Sequence, residues 1–421
     1  METFLNILIK LLQYFNEKNY HRYSLEIIRS INQHYGNLNF KTLVQNNTPF
    51  IIFEIEKSKN RYFKDKNYHL YRCFCEEIIK IYKISNIEVA HINYEIGLTY
   101  HLEAINREDK SSLVKAHFLE QAEKHYKNKC QNIELAKDLR PLIKSCYGLV
   151  VENELKEIKV ETPITSMMQI ELFHYKRHYL KNLKQDLILK QLSIDNVLLP
   201  NYDSIVKSVK EIYNQSILRH LFPLSPINEK RKLGTFSTED EHNQYDILQY
   251  YNLNLQLIWD IRLFPIFIDM KKNHRLTPTS IMKHFAQWSL LDNSRTSIIA
   301  RGIDKFFQND YISSINILVP QIEHQIRYMF ELIGFSTTNT SNGKSQEEQT
   351  FSSFLKEEFV IENLGQDIVK YFEILFVSKI GFNIRNNIAH GFYNSTHFTQ
   401  ELNIVVIYSL IVLTRFNIKK V

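Results

Sequence analysis

The sequence predicts an all-α protein, and three observations carry that prediction. Glycine and proline are scarce, ten and nine among 421 residues, which leaves few turn signals and favours long helices over a many-stranded sheet. Apolar residues recur at three- and four-residue spacing along most of the chain, the period of one helical face. The apolar share of 44% is ordinary for a folded chain. At this length one hydrophobic core rarely suffices, so two or three domains are expected.

From Met1 to about Phe222 the pattern is that of amphipathic helices, with Leu25, Ile28 and Ile31, then Cys75, Ile78, Ile79 and Tyr82, each marking one face. Between Asn93 and Tyr126, Ile96-Gly97, Tyr100, Ala116, Leu119 and Ala122 loosely resemble a tetratricopeptide-like helical pair. Neither the repeat period nor the terminal proline recurs, so an irregular helical bundle is the preferred reading. Phe222-Pro223-Leu224-Ser225-Pro226 breaks the pattern, and the polar stretch through Lys230, Gly234, Ser237 and Asn243 reads as an exposed loop.

Tyr245 to about Gln287 is helical again, interrupted at Pro265 and Pro278, and reads as a connecting segment. From about Leu290 four helical blocks follow, at 293–309, 311–334, 362–380 and 384–416, with a polar loop at 336–350 between the second and third that would border a cleft. The run Ile404 to Leu413 is rich in β-branched residues and would suit a strand on propensity alone. Its helical neighbours make it a buried helix. The expected organisation is an N-terminal irregular helical scaffold over 1–225, a loop and connecting segment over 226–288, and a C-terminal helical bundle over 289–421.

The formal charge of +6 is compatible with a polyanionic partner but does not locate a positive surface. Lys, Asn and Ile abound throughout, a bias that AT-rich coding also produces, so the charge weighs lightly. Cys73, Cys75, Cys130 and Cys146 show neither paired spacing nor a framework, which excludes a disulfide scaffold and gives no zinc signature. A reducing cytoplasm is the expected setting. The N-terminus reaches Lys10, Glu17 and Lys18 before any signal-like apolar core, and Ile404–Leu413 falls short of the roughly 20 residues of a bilayer span, so no membrane partner is expected.

The chemistry-bearing pattern is Arg385-Asn386-Asn387-Ile388-Ala389-His390-Gly391. Arg385 and His390 are separated by four residues, and Asn383 stands where it would cap a helix whose first turn carries Arg385. Free N–H groups at such a helix start would add to the guanidinium in holding a phosphate. Arginine offers a permanently charged planar fork to phosphate oxygens, and histidine exchanges a proton near pH 7. Together they suit RNA cleavage without a metal or any other cofactor: the 2′-OH attacks the adjacent phosphate, and DNA, lacking that hydroxyl, is excluded. Spacing alone is weak, since Arg29-Ser30-Ile31-Asn32-Gln33-His34 repeats it within an ordinary amphipathic stretch.

The context of the C-terminal copy is more specific. Leu318-Val319-Pro320-Gln321-Ile322-Glu323 with Arg327, followed by Gly381-Phe382-Asn383-Ile384 and the motif itself, resembles the HEPN superfamily of higher eukaryote and prokaryote nucleotide-binding domains. Its ribonucleases carry an Arg and a His four to six residues apart with a polar residue after the Arg, here Asn386. The resemblance covers about residues 290–400 and looks like a bacterial family of unknown function assigned to that superfamily. It implies a small helical bundle that dimerises so that two copies of the motif face one cleft. Arg385 would neutralise the phosphate, His390 would act as general base or acid, Asn386 would orient one of them, and Glu323 and Arg327 would support the site or the bundle. Members regulated by nucleotide transfer carry a tyrosine two residues after the His; here Phe392 takes that place and Tyr393 follows, so that regulation is not implied. The implied setting is antiphage defence or a toxin system, with an N-terminal region that senses a phage trigger or answers to a regulatory protein. The alternative is a non-catalytic HEPN dimerisation or nucleotide-binding module.

Other signals are weaker. His174 and His178 with Glu171 have metal-like spacing but no third His or H-E-x-x-H. The stretch Tyr175-Lys176-Arg177-His178-Tyr179 with Lys181 and Lys184 interleaves bases and aromatics as an RNA-binding face does, yet a solvated helix with inward tyrosines is the preferred reading. Lys230-Arg231-Lys232 is too short to decide anything. No Gly-rich phosphate loop, nucleophile elbow or dinucleotide fingerprint occurs.

Overall fold

The computed structural model describes residues 2–34, 37–107, 111–155, 166–216, 221–228, 231–341 and 345–417. These residues are helical almost throughout, the all-α class that the sparse glycine and the helical period predict. The chain divides into two compact units, Met1–Lys159 with Pro226–Leu233, and Val160–Ser225 with Gly234–Val421.

The first unit is built from α1 (Glu2–Glu17), α2 (His21–Gln33), α3 (Leu38–Lys64), α4 (Tyr68–Ile84), α5 (Ala90–Asn106), α6 (Ser112–Asn128) and α7 (Ile133–Leu149). Each helix packs chiefly on its neighbours in sequence, and α1 also meets α3. Leu25, Ile28 and Ile31 of α2 and Cys75 and Ile78 of α4 are buried, while Ile79 and Tyr82 are half-buried at the edge of that core. With so few glycines, asparagine ends several of the helices. Asn19, Asn86 and Asn309 take φ of 60°, 54° and 61°, a left-handed conformation that Asn tolerates better than most residues. The N–H that follows each one then reaches back to the last turn, Tyr20 to the Phe15 carbonyl and Ile87 to Tyr82 at 2.8 Å, Asp310 to Lys305 at 2.9 Å, satisfying carbonyls the helix leaves open. Strands β1 (Ile227–Asn228) and β2 (Arg231–Lys232) pair antiparallel in the same unit. Ile227 packs against the α5–α7 core, and Lys232 pairs with Glu120 at 2.5 Å. This part of the expected exposed loop is therefore a paired, anchored segment; Glu229 and Lys230 lie outside the described residues.

The second unit comprises α8 (Ser166–Arg177), α9 (Gln185–Ile194), α10 (Tyr202–Gln215), α11 (Glu239–Ile258), α12 (Phe264–Lys272), α13 (Pro278–Ala286), α14 (Thr296–Phe307) and α15 (Tyr311–Leu332). The hairpin β3 (Thr338–Ser341) and β4 (Ser345–Glu348) follows, then α16 (Phe351–Phe354), α17 (Glu358–Leu364), α18 (Gln366–Phe372), α19 (Ile384–Ala389) and α20 (Gln400–Leu413). Pro265 and Pro278 interrupt the pattern because they start α12 and α13, where a missing N–H costs nothing. Wide π turns at Trp259–Leu263 and Glu373–Val377 extend α11 and α18.

One core gathers buried residues from Tyr179 to Leu413, and α20 is its axis. Every residue from Asn403 to Leu413 is buried, because α9, α12, α14 and α15 all pack against this helix. That explains its uniformly apolar sequence and confirms a helix where propensity favoured a strand. It also places the division of the chain elsewhere than the expected 225 and 288: residues 166–216 and 234–288 belong with the C-terminal bundle rather than connecting to it. Two further expectations are corrected. The fourth block is two helices, α19 and α20, parted by a turn at 390–399, and the polar loop at 336–350 is largely the hairpin β3–β4, with Asn342, Gly343 and Lys344 outside the described residues. No helix among the described residues is long and apolar enough to cross a membrane, and the four cysteines are free thiols.

Candidate active site

The segment from Gly381 to Tyr393 is fixed by close packing and by hydrogen bonds at both of its ends. Gly381 lies so close to the π turn at Glu373–Val377 that a Cβ would sit 2.2 Å from the Ile374 carbonyl oxygen, and the Phe382 N–H bonds that same oxygen at 3.0 Å. The Phe382 ring packs on Trp259, 5.4 Å between centroids. Its carbonyl accepts from Asn387 Nδ2 at 3.1 Å and from the Tyr393 hydroxyl at 3.2 Å, so both ends of the segment are drawn to one point. Ile384 is wholly buried and anchors α19.

Asn383 does precede the helix, but it departs from the expected cap. Its backbone is left-handed, φ 50° and ψ 35°, with no side-chain bond to the helix N–H groups. Its Oδ1 accepts instead from Asn386 Nδ2 at 2.7 Å. With six residues, α19 is also too short to act as a phosphate-binding helix end, so charge must come from side chains.

It comes from Arg385. Its Nε donates to Glu323 Oε2 at 3.1 Å and its Nη1 to Asn386 Oδ1 at 3.0 Å. Because Asn383 holds the amide nitrogen of Asn386, the amide oxygen is turned to Arg385. The other oxygen of Glu323 accepts from Arg327 Nη2 at 2.8 Å, one turn further along α15. Arg327 is nearly buried and also bonds the Gln349 carbonyl at 2.7 Å and Glu348 at 3.3 Å. One carboxylate is thus shared by two guanidinium groups, and 41% of the Arg385 side chain remains exposed, which leaves it open to an anion. Five of the residues singled out in the sequence, Glu323, Arg327, Asn383, Arg385 and Asn386, form one connected network across 62 residues of chain.

His390 stands apart from that network. It ends α19, its N–H bonded to the Asn386 carbonyl at 3.0 Å, and its exposed ring lies 5.5 Å from that of Phe392 with no side-chain hydrogen bond among the described residues. The Arg29 and His34 pair is different again: Arg29 meets Glu26 at 2.7 Å and Glu77 of α4 at 3.8 Å, and His34 bonds the Ser30 carbonyl at 2.8 Å with its ring against Phe4 and Phe40, so both serve the packing of the first unit.

A cavity of 370 Å³ opens beside the segment, walled by Phe382 and Tyr393 from its two ends, by Trp259 and Phe264, and by His397, Asp260 and Glu401. His397 stacks on Tyr393 with ring centroids 5.0 Å apart and planes 8° apart. Sequence reading missed Asp260 and Glu401, which stand 141 positions apart with no motif to join them. Burial, together with the charge of Glu401, raises the Asp260 carboxyl above the usual aspartate range.

The weaker candidates resolve structurally. Tyr179 is buried and donates to Asp195 at 2.7 Å, joined there by Tyr175, Lys176 pairs with Asp269 at 2.9 Å, and Glu171 pairs with Arg262. Among the described residues no group of three or more His, Cys, Asp or Glu side chains is disposed to hold a metal ion. No family model, curated protein or solved structure matches the chain.

Proposed function

We propose that the protein is a metal-independent endoribonuclease of the HEPN type, active as a homodimer in the cytoplasm. The observation that carries this reading is the Glu323–Arg385 bond of 3.1 Å, which joins the two sequence blocks on which the HEPN resemblance rests. In the reaction the 2′-oxygen bonds to phosphorus as the bond to the 5′-oxygen breaks, giving a cyclic phosphate and a free 5′-hydroxyl. One proton leaves the 2′-OH and one arrives at the departing oxygen. Arg385, held from one side by Glu323 and Asn386, neutralises the phosphate with its open edge. His390, exposed and uncommitted, serves as base or acid, and a second protomer facing the first supplies the other. By the same reading the protein belongs to antiphage defence or a toxin system, and its N-terminal unit answers to a trigger or a regulatory protein.

The test is to incubate the full chain with total RNA in EDTA, beside Arg385→Ala and His390→Ala, and to identify the product ends. Cyclic phosphate ends from the wild type, with both variants inactive and their oligomeric state unchanged, are the expected result. Intact RNA with the trigger supplied, or equal cutting by the variants, would leave only a non-catalytic binding module.

A further inference from the structure

A larger cavity, of 780 Å³, opens in the second unit between α9 and α13, beside the residues that follow α20. Its size is that of small-molecule sites, and the charges that line it are of one sign. Lys190 of α9 and Lys283 of α13 both reach it, and among the described residues no Asp or Glu does. Neither ammonium group has an ion pair or a hydrogen bond among those residues, whereas Lys176 and Lys305 of the same unit pair with Asp269 and Asp310. The sequence accounts for the sign. No Asp or Glu occurs between Asp269 and Asp292, a stretch that carries Lys271, Lys272, Arg275 and Lys283, and none occurs in residues 402–417.

The uncharged polar groups of the lining divide in two. The hydroxyls of Ser193, Ser280 and Thr414 donate to the carbonyls of Lys190, Thr277 and Ile411, and the Trp288 indole N–H donates to that of Phe416 at 2.9 Å. With its proton given away, the Thr414 oxygen accepts from His284 Nε2 at 2.8 Å, and Thr277 Oγ1 accepts from the Ser280 N–H at 3.1 Å. These groups are spent on the fold. The side chains of Gln185, Thr279, Gln287 and Asn417 are exposed, have no partner among the described residues and can each donate a hydrogen bond. Leu187, Leu189 and the Trp288 ring make the rest of the wall apolar. Ammonium and amide donors complement the oxygens of a phosphate, and a concave wall of one sign concentrates the field that attracts it. A bare inorganic ion would leave the apolar wall and most of the volume to water, whereas a phosphate carrying an organic group fills both. We propose that this cavity binds a small organic phosphate, its phosphate held by Lys190 and Lys283 and its carbon skeleton against Leu189 and Trp288. None of Arg385, Asn386 or His390 lines it. The motif precedes the first turn of α20 and Thr414 follows its last, a helix of 14 residues and so about 20 Å long, which makes this a site of its own, apart from the candidate active site.

Titration calorimetry on the full chain tests the site without any catalysis. The probes are ribose 5-phosphate and adenosine 5′-diphosphate, set against ribose, adenosine and inorganic phosphate at low ionic strength. At least one probe should bind, about tenfold or more tightly than its neutral counterpart and than inorganic phosphate. Lys190→Gln and Lys283→Gln should each weaken that binding about tenfold, since each removes a hydrogen bond from a charged donor, with an unchanged helical spectrum. Lys272→Gln, at an exposed lysine of α12 outside the cavity, should leave it as it was. Tryptophan emission should change on binding in the wild type and not in Trp288→Phe. No binding of either probe at millimolar concentration, equal affinity for the phosphorylated and neutral forms, or affinity unchanged in the variant lacking both cavity lysines overturns the site. So does an equal loss in Lys272→Gln, which would mark diffuse surface charge only, and inorganic phosphate bound as tightly as both probes would overturn the organic ligand.

Discussion

Glu323 holds two guanidinium groups that differ in how much they have to lose. Arg327 is 9% exposed, so its replacement by alanine leaves a poorly hydrated carboxylate with one partner in place of two and frees the Gln349 carbonyl. Removing one member of a buried pair typically costs about 3 kcal/mol, and Arg327→Ala should lower the urea midpoint accordingly. Glu348→Ala removes only an exposed end of the same network, 58% open to solvent, and should cost less than about 1 kcal/mol. Arg385→Lys keeps the charge but cannot bond Glu323 and Asn386 from two nitrogens at once. On the proposed ribonuclease reading the rate of RNA cleavage should fall by about 100-fold through misplacement alone, with little change in the denaturation midpoint. A fall in stability matching the fall in rate would remove the positioning role. The residue types of this site were legible: Arg385, Asn386 and Glu323 could be named from sequence. Their connections were not, because Asn383 adopts φ 50° for the sake of a tertiary fit, and no local preference announces that it will bond Asn386 rather than the helix N–H groups. The Arg29 and His34 pair shows the reverse case, the same spacing spent on packing within the first unit.

The elements that carry this network depend on close approach, and two glycines measure it. At Gly302 an added Cβ would lie 2.4 Å from Leu318 Cδ2, where α14 crosses α15, but the obstacle is a side chain that can turn. Gly302→Ala should therefore cost about 1–2 kcal/mol. At Gly381 the obstacle is the Ile374 carbonyl itself, 2.2 Å away, and backbone must move. Gly381→Ala should cost about 3 kcal/mol and, on the proposed ribonuclease reading, reduce cleavage beyond the loss expected from the unfolded fraction by displacing Phe382 and the start of α19. Equal denaturation midpoints for the two variants would show that the π turn yields more easily than its hydrogen bonds imply. Most elements were legible because the helical period persists along them. The turn at 390–399 was not, since Tyr393 and Phe398 continue an apolar pattern into Leu402 of α20 while themselves packing against the second unit's core from outside regular α-helix. Nor was the hairpin β3–β4, whose polar side chains carry no alternation and whose register is set by backbone pairing from Thr338 and Glu348 inward.

At the scale of the molecule the boundary was the least legible feature, because a break such as Pro223 to Pro226 records where helices stop and not which core their faces join. The same burial that builds the second unit's core governs the response to acid. His284 lies where α13 meets the end of α20, its Nε2 2.8 Å from the Thr414 hydroxyl, and burial pushes it down to about 4. Burial likewise lowers His21, His101 and His125 in the first unit, opposed at His125 by a bond to the Asn93 backbone. In each case the unfolded chain binds the proton more readily, so stability is complete above the ordinary histidine range of about 6.5 and falls as pH drops below it. For His284 the fall continues to about 4 and then ceases. Asp292 adds a later loss: burial pushes its carboxyl up, but bonds from His324 and Ser294 outweigh this and hold it below the usual range, so its contribution is lost only as the acid deepens. The chain's two tryptophans, Trp259 and Trp288, both lie in the second unit, so fluorescence follows that unit while helical circular dichroism follows both. His284→Gln should flatten the fluorescence midpoint between pH 6.5 and 4 and leave much of the circular dichroism decline in place, where the first unit's histidines still act. An unaltered fluorescence profile in the variant would mean that His284 is protonated in the folded protein and that its burial is not what limits stability in acid.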